Sequence, residues 1–213
     1  MKSYAIRLLR ILIGFPLFAA GVVCNINANI GYGPWEVFHV GITLHTGLSL
    51  GTVSILVGLV LVLITIQQGE KFGLGSILNM LLIGLLIDFY RSTALIPIAQ
   101  GMVQGIVMLI GGLFLIALGS FFYISAGFGA GPRDSLMVLL ARKTRLSAGL
   151  CRSLLEMTVT FVGWLLGGMV GIGSIISVLC IGICVQIVFR LLRFDPTSVH
   201  HDTLQETWQG LQK

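Results

Sequence analysis

The sequence has few charged residues for its length. Only 10% of its 213 residues are Asp, Glu, Lys or Arg, whereas soluble domains carry roughly a quarter. Because hydrophobic residues make up 56% of the chain, too few polar side chains remain to cover a globular surface. The composition therefore excludes a disordered chain and a cytosolic enzyme, and it predicts an integral membrane protein in contact with a lipid bilayer.

Cysteine pairs and the usual metal or nucleotide motifs are also missing. The four cysteines form no CxxC pair, which excludes a disulfide scaffold and a paired-cysteine zinc site. The sequence contains no HExxH motif and no Walker loop. We therefore expect no enzymatic activity, no cofactor and no metal site. The net charge of +5 resides mostly in basic residues that flank apolar runs, which indicates membrane topology and not nucleic-acid binding.

The apolar residues fall into stretches of two lengths. Two short stretches, Pro34–His45 and Pro132–Ala141, each open with proline, which suits the first position of a helix. The longer stretches approach the ~20 residues that a helix needs to cross a bilayer. These lie at residues 8–26, 48–67, 74–90, 103–126, 148–168 and 173–192. The pattern predicts an all-α polytopic membrane protein.

The two halves of the chain match each other when they are shifted by 98 residues. Gly31-Tyr32-Gly33-Pro34 then aligns with Gly129-Ala130-Gly131-Pro132, and Glu36 aligns with Asp134. Glycines, prolines and acids coincide as well as common apolar residues, so we predict an internal duplication. The first membrane repeat is residues 1–98, the second is residues 99–193, and residues 194–213 form a polar C-terminal tail.

Two topologies are compatible with this repeat. If the short helices are re-entrant, each repeat has three spans, the second repeat is inverted, and the protein has six transmembrane helices plus two half-helices. If they cross fully, the protein has eight spans in two parallel four-helix repeats. A helix of this length covers about half of the ~30 Å hydrocarbon core. Length therefore favours six spans and two re-entrant half-helices, with both termini in the cytoplasm.

The loops that precede the short helices are the candidate site. Irregular backbone at membrane depth is stable only where protein or a water-filled cavity surrounds it. In the inverted topology two helix amino termini would converge near the midplane, as in transporters with broken helices. Glu36 and Asp134 either cap these termini or bind a substrate amine or a coupling proton. The loop backbone is formed by Gly31, Gly33, Pro34, Gly129, Gly131 and Pro132.

Other polar residues at depth extend this candidate site. Arg133 either binds an anionic substrate group or forms an internal ion pair with Glu36, and Trp35 lies beside Glu36. His39 follows one turn later and either relays protons or packs. Asn79 and Glu156 are secondary candidates in long helices; Glu156 is spaced to pair with Arg152 one turn earlier.

Several of these motifs are shared with a known family. The stretch Gly31–His39, followed by Gly47–Gly51 and Gly73–Asn79, resembles the YczE branch of the YczE/YyaS/YitT family of bacterial integral membrane proteins. That branch typically shows a GxGPWDxxHxG-like stretch, a GxSxG-like turn and then GxGTxxN. Here Glu36 replaces the usual aspartate and Ser76 a common threonine. The resemblance implies a multi-pass protein of the bacterial inner (plasma) membrane, and such proteins are generally treated as candidate transporters.

Together these features favour secondary transport of a small polar or charged metabolite. The solute would bind between the two GxGPx[E/D] loops, and one repeat would rock against the other. The first alternative is a non-transporting membrane scaffold or assembly factor. The second is a substrate-binding subunit of a multi-component transporter, with a separate energising partner subunit. Glycine-rich helix faces also leave a homo-oligomer open.

Overall fold

The computed structural model describes residues 2–48, 50–69, 73–129, 131–199 and 201–202. This part of the chain folds into eight α-helices and one 3₁₀ turn, with no strand. The first repeat holds α1 (Lys2–Asn27), α2 (Pro34–Thr46), α3 (Leu50–Gln67) and α4 (Leu74–Ser92). The second holds α5 (Met102–Ser125), α6 (Pro132–Thr144), α7 (Ala148–Leu165) and α8 (Ile172–Leu191), and the 3₁₀ turn is Pro196–Ser198.

Four helices in this part of the chain are long and apolar enough to cross a membrane. They contain Ala5–Asn27, Leu74–Ser92, Met102–Ser125 and Ile172–Leu191. A shorter apolar helix runs over Thr52–Gln67, and α7 carries the charged residues Arg152 and Glu156. Large apolar side chains also point outward, where lipid would contact them. The predicted all-α polytopic membrane architecture is confirmed, whereas the number of spans and the domain boundaries stay predictions.

The equivalent helices α1 and α5 pack against each other in opposite directions. A Cβ atom built on Gly14 would lie 3.1 Å from the carbonyl oxygen of Gly119, and one built on Gly21 would lie 2.6 Å from that of Gly112. The contact residues therefore rise along α1 as they fall along α5. Small residues allow this close backbone approach. An antiparallel pair of equivalent helices is the arrangement that inverted repeats require, and it favours six spans over eight.

The short helices cross between the repeats. α2 packs on α7, and its counterpart α6 packs on α3. Gly163 in α7 makes the first contact possible, since a Cβ at that position would lie 2.6 Å from the Cα of Phe38. The two repeats therefore interlock and do not stand side by side as separate bundles.

Equivalent backbone positions begin and end the two short helices. Pro34 and Pro132 follow extended glycines at Gly33 and Gly131. Both helices contain 13 residues and end at Thr46 and Thr144, slightly beyond the predicted ends, because the left-handed residue that stops each helix comes next. A 13-residue helix rises about 20 Å, which is less than the ~30 Å hydrocarbon core.

The helix pairs that close the two repeats differ from each other. α7 meets α8 where Gly149 and Gly182 touch, and a Cβ on either glycine would collide with the backbone of the other. Gly84 in α4 is the counterpart of Gly182, and a Cβ there would meet no atom within 4 Å. The close α7–α8 contact thus has no equivalent at Gly84 in the first repeat.

The N-terminal arginines hold the connection between α5 and α6. Arg7 donates to the carbonyl of Ala126 over 2.5 Å and pairs with Asp202 of the tail over 2.6 Å. Arg10 donates to the carbonyl of Ser125 over 2.9 Å. Cations at the carboxyl end of a helix interact favourably with its dipole. The start of the chain and its tail therefore meet at one end of the bundle.

Candidate functional site

Each GxGP loop is hydrogen-bonded by the other repeat. The amide of Gly173 donates to the carbonyl of Ile30 over 2.8 Å, and the equivalent amide of Gly75 donates to the carbonyl of Phe128 over 2.7 Å. The hydroxyl of Ser174 also donates to the carbonyl of Tyr32. These bonds satisfy loop carbonyls that would otherwise be costly in a membrane. They explain why GxGP and GxGS occur together in each half of the sequence.

The loop glycines are required by conformation and by space. Gly31 has a φ of +141° and Gly129 a φ of +108°, which residues with a Cβ rarely adopt. A Cβ on Gly31 would also lie 2.8 Å from the Cα of Gly171, and one on Gly129 would lie 2.5 Å from Ser76 Oγ. Glycine is therefore needed at both positions to bring each loop onto the opposite repeat.

A small cavity lies beside the amino end of α2. Its volume is about 40 Å³, which is room for roughly three water-sized groups. Apolar side chains of α1, α5 and α8 form much of its wall. Its polar lining consists of Asn25, Trp35, Glu36, Arg133, Arg152, Glu156 and Ser177. The structure thus brings Trp35, Glu36, Arg133 and Glu156 of the predicted site to one place.

A buried ion cluster forms one side of this cavity. Arg152 pairs with Asp134 of α6, and its Nε lies 2.7 Å from Oε1 of Glu156. All three side chains are at least 95% buried. Trp35 donates its indole N–H to the same Glu156 oxygen over 3.1 Å. The predicted Arg152–Glu156 pair is confirmed, and Asp134 is engaged by Arg152 instead of capping α6 or facing the cavity.

The guanidinium of Arg133 stacks on an aromatic ring. Its guanidinium carbon lies 4.7 Å from the centre of the Trp35 ring, the geometry of a cation–π interaction. Within the described ranges, Arg133 forms no hydrogen bond or ion pair. Glu36 attracts the guanidinium electrostatically without an ion-pair contact in the described part of the chain, so both alternatives for Arg133, an anionic substrate group or Glu36, stay predictions.

Glu36 is half-buried on the cavity wall in the first turn of α2. Its carboxylate makes no hydrogen bond or ion pair with the residues that the structure describes. The N-cap Gly33 has no side chain that could accept the free amides of this turn. A negative charge near a helix amino terminus is favourable, and the carboxylate stays available to a ligand.

His39 lies one turn beyond Trp35 and outside the cavity lining. The side chain is buried, and its ring centre is 6.3 Å from that of Trp35 and 6.2 Å from that of Phe38. Its Nε2 finds no partner among the described residues. The structure therefore places His39 in an aromatic layer behind the wall, and its proposed proton relay stays a prediction.

Two further polar side chains extend the site. Asn25 of α1 and Ser177 of α8 line the cavity, and Asn25 Oδ1 and Ser177 Oγ have no partner in the described part of the chain. Ser177 is the repeat counterpart of Asn79, so the offset of 98 residues could have identified it. Asn79 itself lies against Gly131 and does not line the cavity. No group of three metal-ligating side chains occurs in the described ranges.

Comparison with known proteins gives a family match that covers most of the chain. The model of a family described as "Family of unknown function (DUF6198)" matches residues 5–190. The chain is 35% identical to the "Uncharacterized membrane protein YczE" of Bacillus subtilis over 189 residues, which is 87% of this chain and 84% of the relative.

Two less similar relatives also align over at least three quarters of this chain and of their own length. An "Uncharacterized protein" of Haemophilus influenzae is 31% identical over 78% of this chain and 75% of its own length. The "Uncharacterized protein YyaS" of Bacillus subtilis is 24% identical over 80% of this chain and 85% of its own length. No solved structure matches the chain.

Proposed function

We propose that this chain, which belongs to the family of unknown function DUF6198, is a secondary transporter of a small polar or charged metabolite. The observation that carries the proposal is the cavity between the predicted repeats, where Arg133 and Glu36 face the same small space and neither makes an ion-pair contact with a described residue. Ionisable groups at membrane depth are expensive and mark solute or ion pathways. Two such groups without mutual pairing are better suited to a ligand than to stability.

The interlocked repeats supply a means of exposing the cavity on alternate sides. Each half-helix belongs to one repeat but packs on the other, so rotation of one repeat moves both half-helices relative to the cavity. Gly149 and Gly182 are in close contact, whereas the equivalent position Gly84 is open. Such a difference between the two repeats is expected of a transporter that is open to one side of the membrane. Rocking of inverted repeats around a fixed central site is the usual mechanism of such carriers.

The proposal also includes the membrane in which the protein lies, its orientation, and the kind of transport system. Basic residues lie in the N-terminal part of α1 and at the C-terminal ends of α6 and α8, which favours cytoplasmic termini in the bacterial inner membrane. We propose transport and not an enzymatic reaction. Beside the cavity, Arg152 contacts Asp134 and Glu156, and Arg133 and Glu36 are suited to binding a ligand. In a multi-component system the same cavity would serve a substrate-binding subunit with an energising partner.

The direct test is uptake by proteoliposomes that contain the purified full chain. The liposomes are offered a defined mixture of small polar metabolites, and the trapped solutes are identified by mass spectrometry. We expect at least one solute to accumulate with the natural protein and to be lost with Glu36→Gln and with Arg133→Gln. Thr158→Ala, which changes an exposed residue on α7, is the matched control and keeps uptake.

The competing functions give other results. Uptake that requires a co-purifying ATPase would identify a binding subunit of a larger transporter. No uptake, together with a co-purifying protein complex, would favour the scaffold or assembly factor, which the internally paired Asp134–Arg152–Glu156 cluster also fits. Full uptake by Glu36→Gln would remove this carboxylate from the mechanism.

A further inference from the structure

We infer that the cavity binds a compact zwitterion, such as a small amino acid, with Arg133 receiving its anionic group and Glu36 its cationic group. The inference rests on the proposed function and assigns it a substrate class. It follows from which charges at the cavity are already paired and which are not. The cluster of Arg152, Asp134 and Glu156 carries a net charge of −1, but each of its members has a contacting partner, because Arg152 contacts both carboxylates and Trp35 donates to Glu156.

One positive and one negative side chain on the wall make no hydrogen bond or ion pair with a described residue. Arg133 stacks on Trp35 and is attracted electrostatically by Glu36 and Glu156, but no carboxylate contacts its guanidinium among the described residues. A single anion would contact Arg133 and leave Glu36 half-buried beside it without a contacting cation. A single cation would do the reverse. Because an unpaired charge is costly in a desolvated site, a ligand that carries both charges is the best complement.

Neutral polar groups next to these charges fit the same ligand. Asn25 lines the cavity and is 8% exposed, and its Oδ1, which lies against Gly112 and has no partner among the described residues, can accept from an ammonium group after rotation of the amide. Ser177 also lines the cavity, is 1% exposed, and its Oγ, likewise without a partner among the described residues, can donate to a carboxylate after rotation of the hydroxyl. Buried polar atoms normally have partners. A ligand with both charges could supply partners to these two side chains.

The walls limit the size of the ligand. Besides the polar groups, Phe18, Val22, Leu113 and Ile181 face the cavity, and its volume is about 40 Å³. A long or strongly polar side chain on the ligand would leave its polar atoms without partners against these walls. The smallest zwitterions, with a short aliphatic body between the two charges, match this space best.

Four small probes separate the charge requirements without knowledge of the natural solute. Glycine and β-alanine carry both charges, acetate lacks the ammonium group, and methylamine lacks the carboxylate. Each is added at equal concentration and ionic strength to the full chain in lipid nanodiscs, and the shift in melting temperature is titrated. We expect glycine or β-alanine to bind about tenfold or more tightly than acetate and methylamine.

Two variants assign the charges. Glu36→Gln is expected to weaken the zwitterion about tenfold and to leave acetate binding unchanged or stronger. Arg133→Gln is expected to weaken the zwitterion similarly and to leave methylamine binding unchanged or stronger. A purely structural role for either residue would weaken all four probes together. Thr158→Ala serves as the control, and the melting temperature without ligand shows whether each variant is folded.

The wild-type comparison alone can overturn the inference, so it does not depend on the variants folding. Acetate binding as tight as glycine would mean an anion site. Methylamine binding as tight as glycine would mean a cation site, and no binding of either zwitterion would remove the substrate class. Binding of a zwitterion without any uptake would contradict the proposed transport function. Uptake of a singly charged solute would contradict the zwitterionic substrate class and leave the transport function intact.

Discussion

Trp35 of the first repeat donates its indole N–H to Glu156 of the second repeat over 3.1 Å, across 121 positions of sequence. The same indole face carries the guanidinium of Arg133. One side chain therefore ties the two repeats together, positions the free cation of the cavity and completes the hydrogen bonding of the buried ion cluster. This arrangement predicts that a mutation can remove the hydrogen bond of the indole N–H and keep the stacking of Arg133 on the ring face.

Trp35→Phe removes the donor and keeps an aromatic face. We expect a loss of about 1–3 kcal/mol in the free energy of unfolding, because the bond that is lost goes to a charged acceptor. Unfolding is measured by titration with denaturing detergent. Trp164→Phe is the matched control, since Trp164 is 57% exposed and lies on the same helix as Glu156. Equal losses in the two variants would contradict the role of the Trp35–Glu156 bond.

Substitution of the two arginines at the cavity, Arg152 and Arg133, should have very different effects on the free energy of unfolding. Arg152→Met leaves Asp134 and Glu156 buried without a cation, and we expect a loss of about 3–5 kcal/mol. Arg133→Met removes a guanidinium that has no carboxylate partner, so its loss should stay below about 1 kcal/mol.

A compensating variant tests whether charge explains the effect of Arg152→Met. Adding Asp134→Asn and Glu156→Gln to Arg152→Met removes the unpaired charges and should restore part of the unfolding free energy. A triple variant that is less stable than Arg152→Met would show that shape, and not charge, controls the cluster.

Gly182 and Gly84 occupy equivalent positions with different surroundings. Gly182→Ala brings a methyl group against the backbone of Gly149, and we expect a loss of about 1–3 kcal/mol. Gly84→Ala meets open space and should be neutral or stabilising by up to about 1 kcal/mol. Thermal unfolding in detergent measures both.

The same pair of positions links stability to the proposed transport cycle. If the first repeat closes at Gly84 in the alternative state, Gly84→Val will lower the uptake rate without lowering the unfolding free energy. Unchanged uptake by a fully folded Gly84→Val variant would mean that α4 does not pack closely at this position during transport.

The residues that end the two short helices predict two substitutions with opposite effects on the free energy of unfolding. Gly47 has a φ of +68° and Arg145 a φ of +60°. Gly47→Ala should cost about 1 kcal/mol from conformation alone, because a Cβ there meets no atom within 4 Å. Arg145→Gly should gain about 0.5–1 kcal/mol. A loss of stability in Arg145→Gly would show that its side chain makes a compensating interaction.

The topology of the repeats is tested with single cysteines at Thr46 and Thr144. Both residues are exposed at the ends of the short helices. After replacement of the four native cysteines, an impermeant thiol reagent applied to intact cells should label position 46 and not position 144. The reverse pattern is expected in inside-out vesicles. Identical labelling at the two positions would mean parallel repeats.

Part of the site could be predicted because it follows local spacing. The Arg152–Glu156 pair is set by one helical turn, and the equivalence of the two GxGP loops is visible in the offset between the halves. The antiparallel crossing of α1 and α5 was expected only as one of two topologies. The length of the short helices favours the inverted topology, and the reversed order of glycine contacts between α1 and α5 supports it.

Other contacts could not be predicted, because they join residues that no periodicity connects. The bond from Trp35 to Glu156 depends on α2 packing against the third helix of the opposite repeat. The sequence leaves two partners open for Arg133, an anionic substrate group and Glu36, and it gives no sign that the planar guanidinium stacks on the indole of Trp35. The choice between these partners depends on side-chain geometry within the folded cavity.

The exchange of hydrogen bonds between the loops and the opposite repeat has a consequence for biogenesis. While the chain is being synthesised, the carbonyl of Ile30 enters the membrane long before Gly173 exists to bond it. The carbonyl of Ile30 therefore lacks this bond until the last helix is inserted. If the repeats are inverted, a chain that held only one half would need a second copy in the opposite orientation to complete the same bonds.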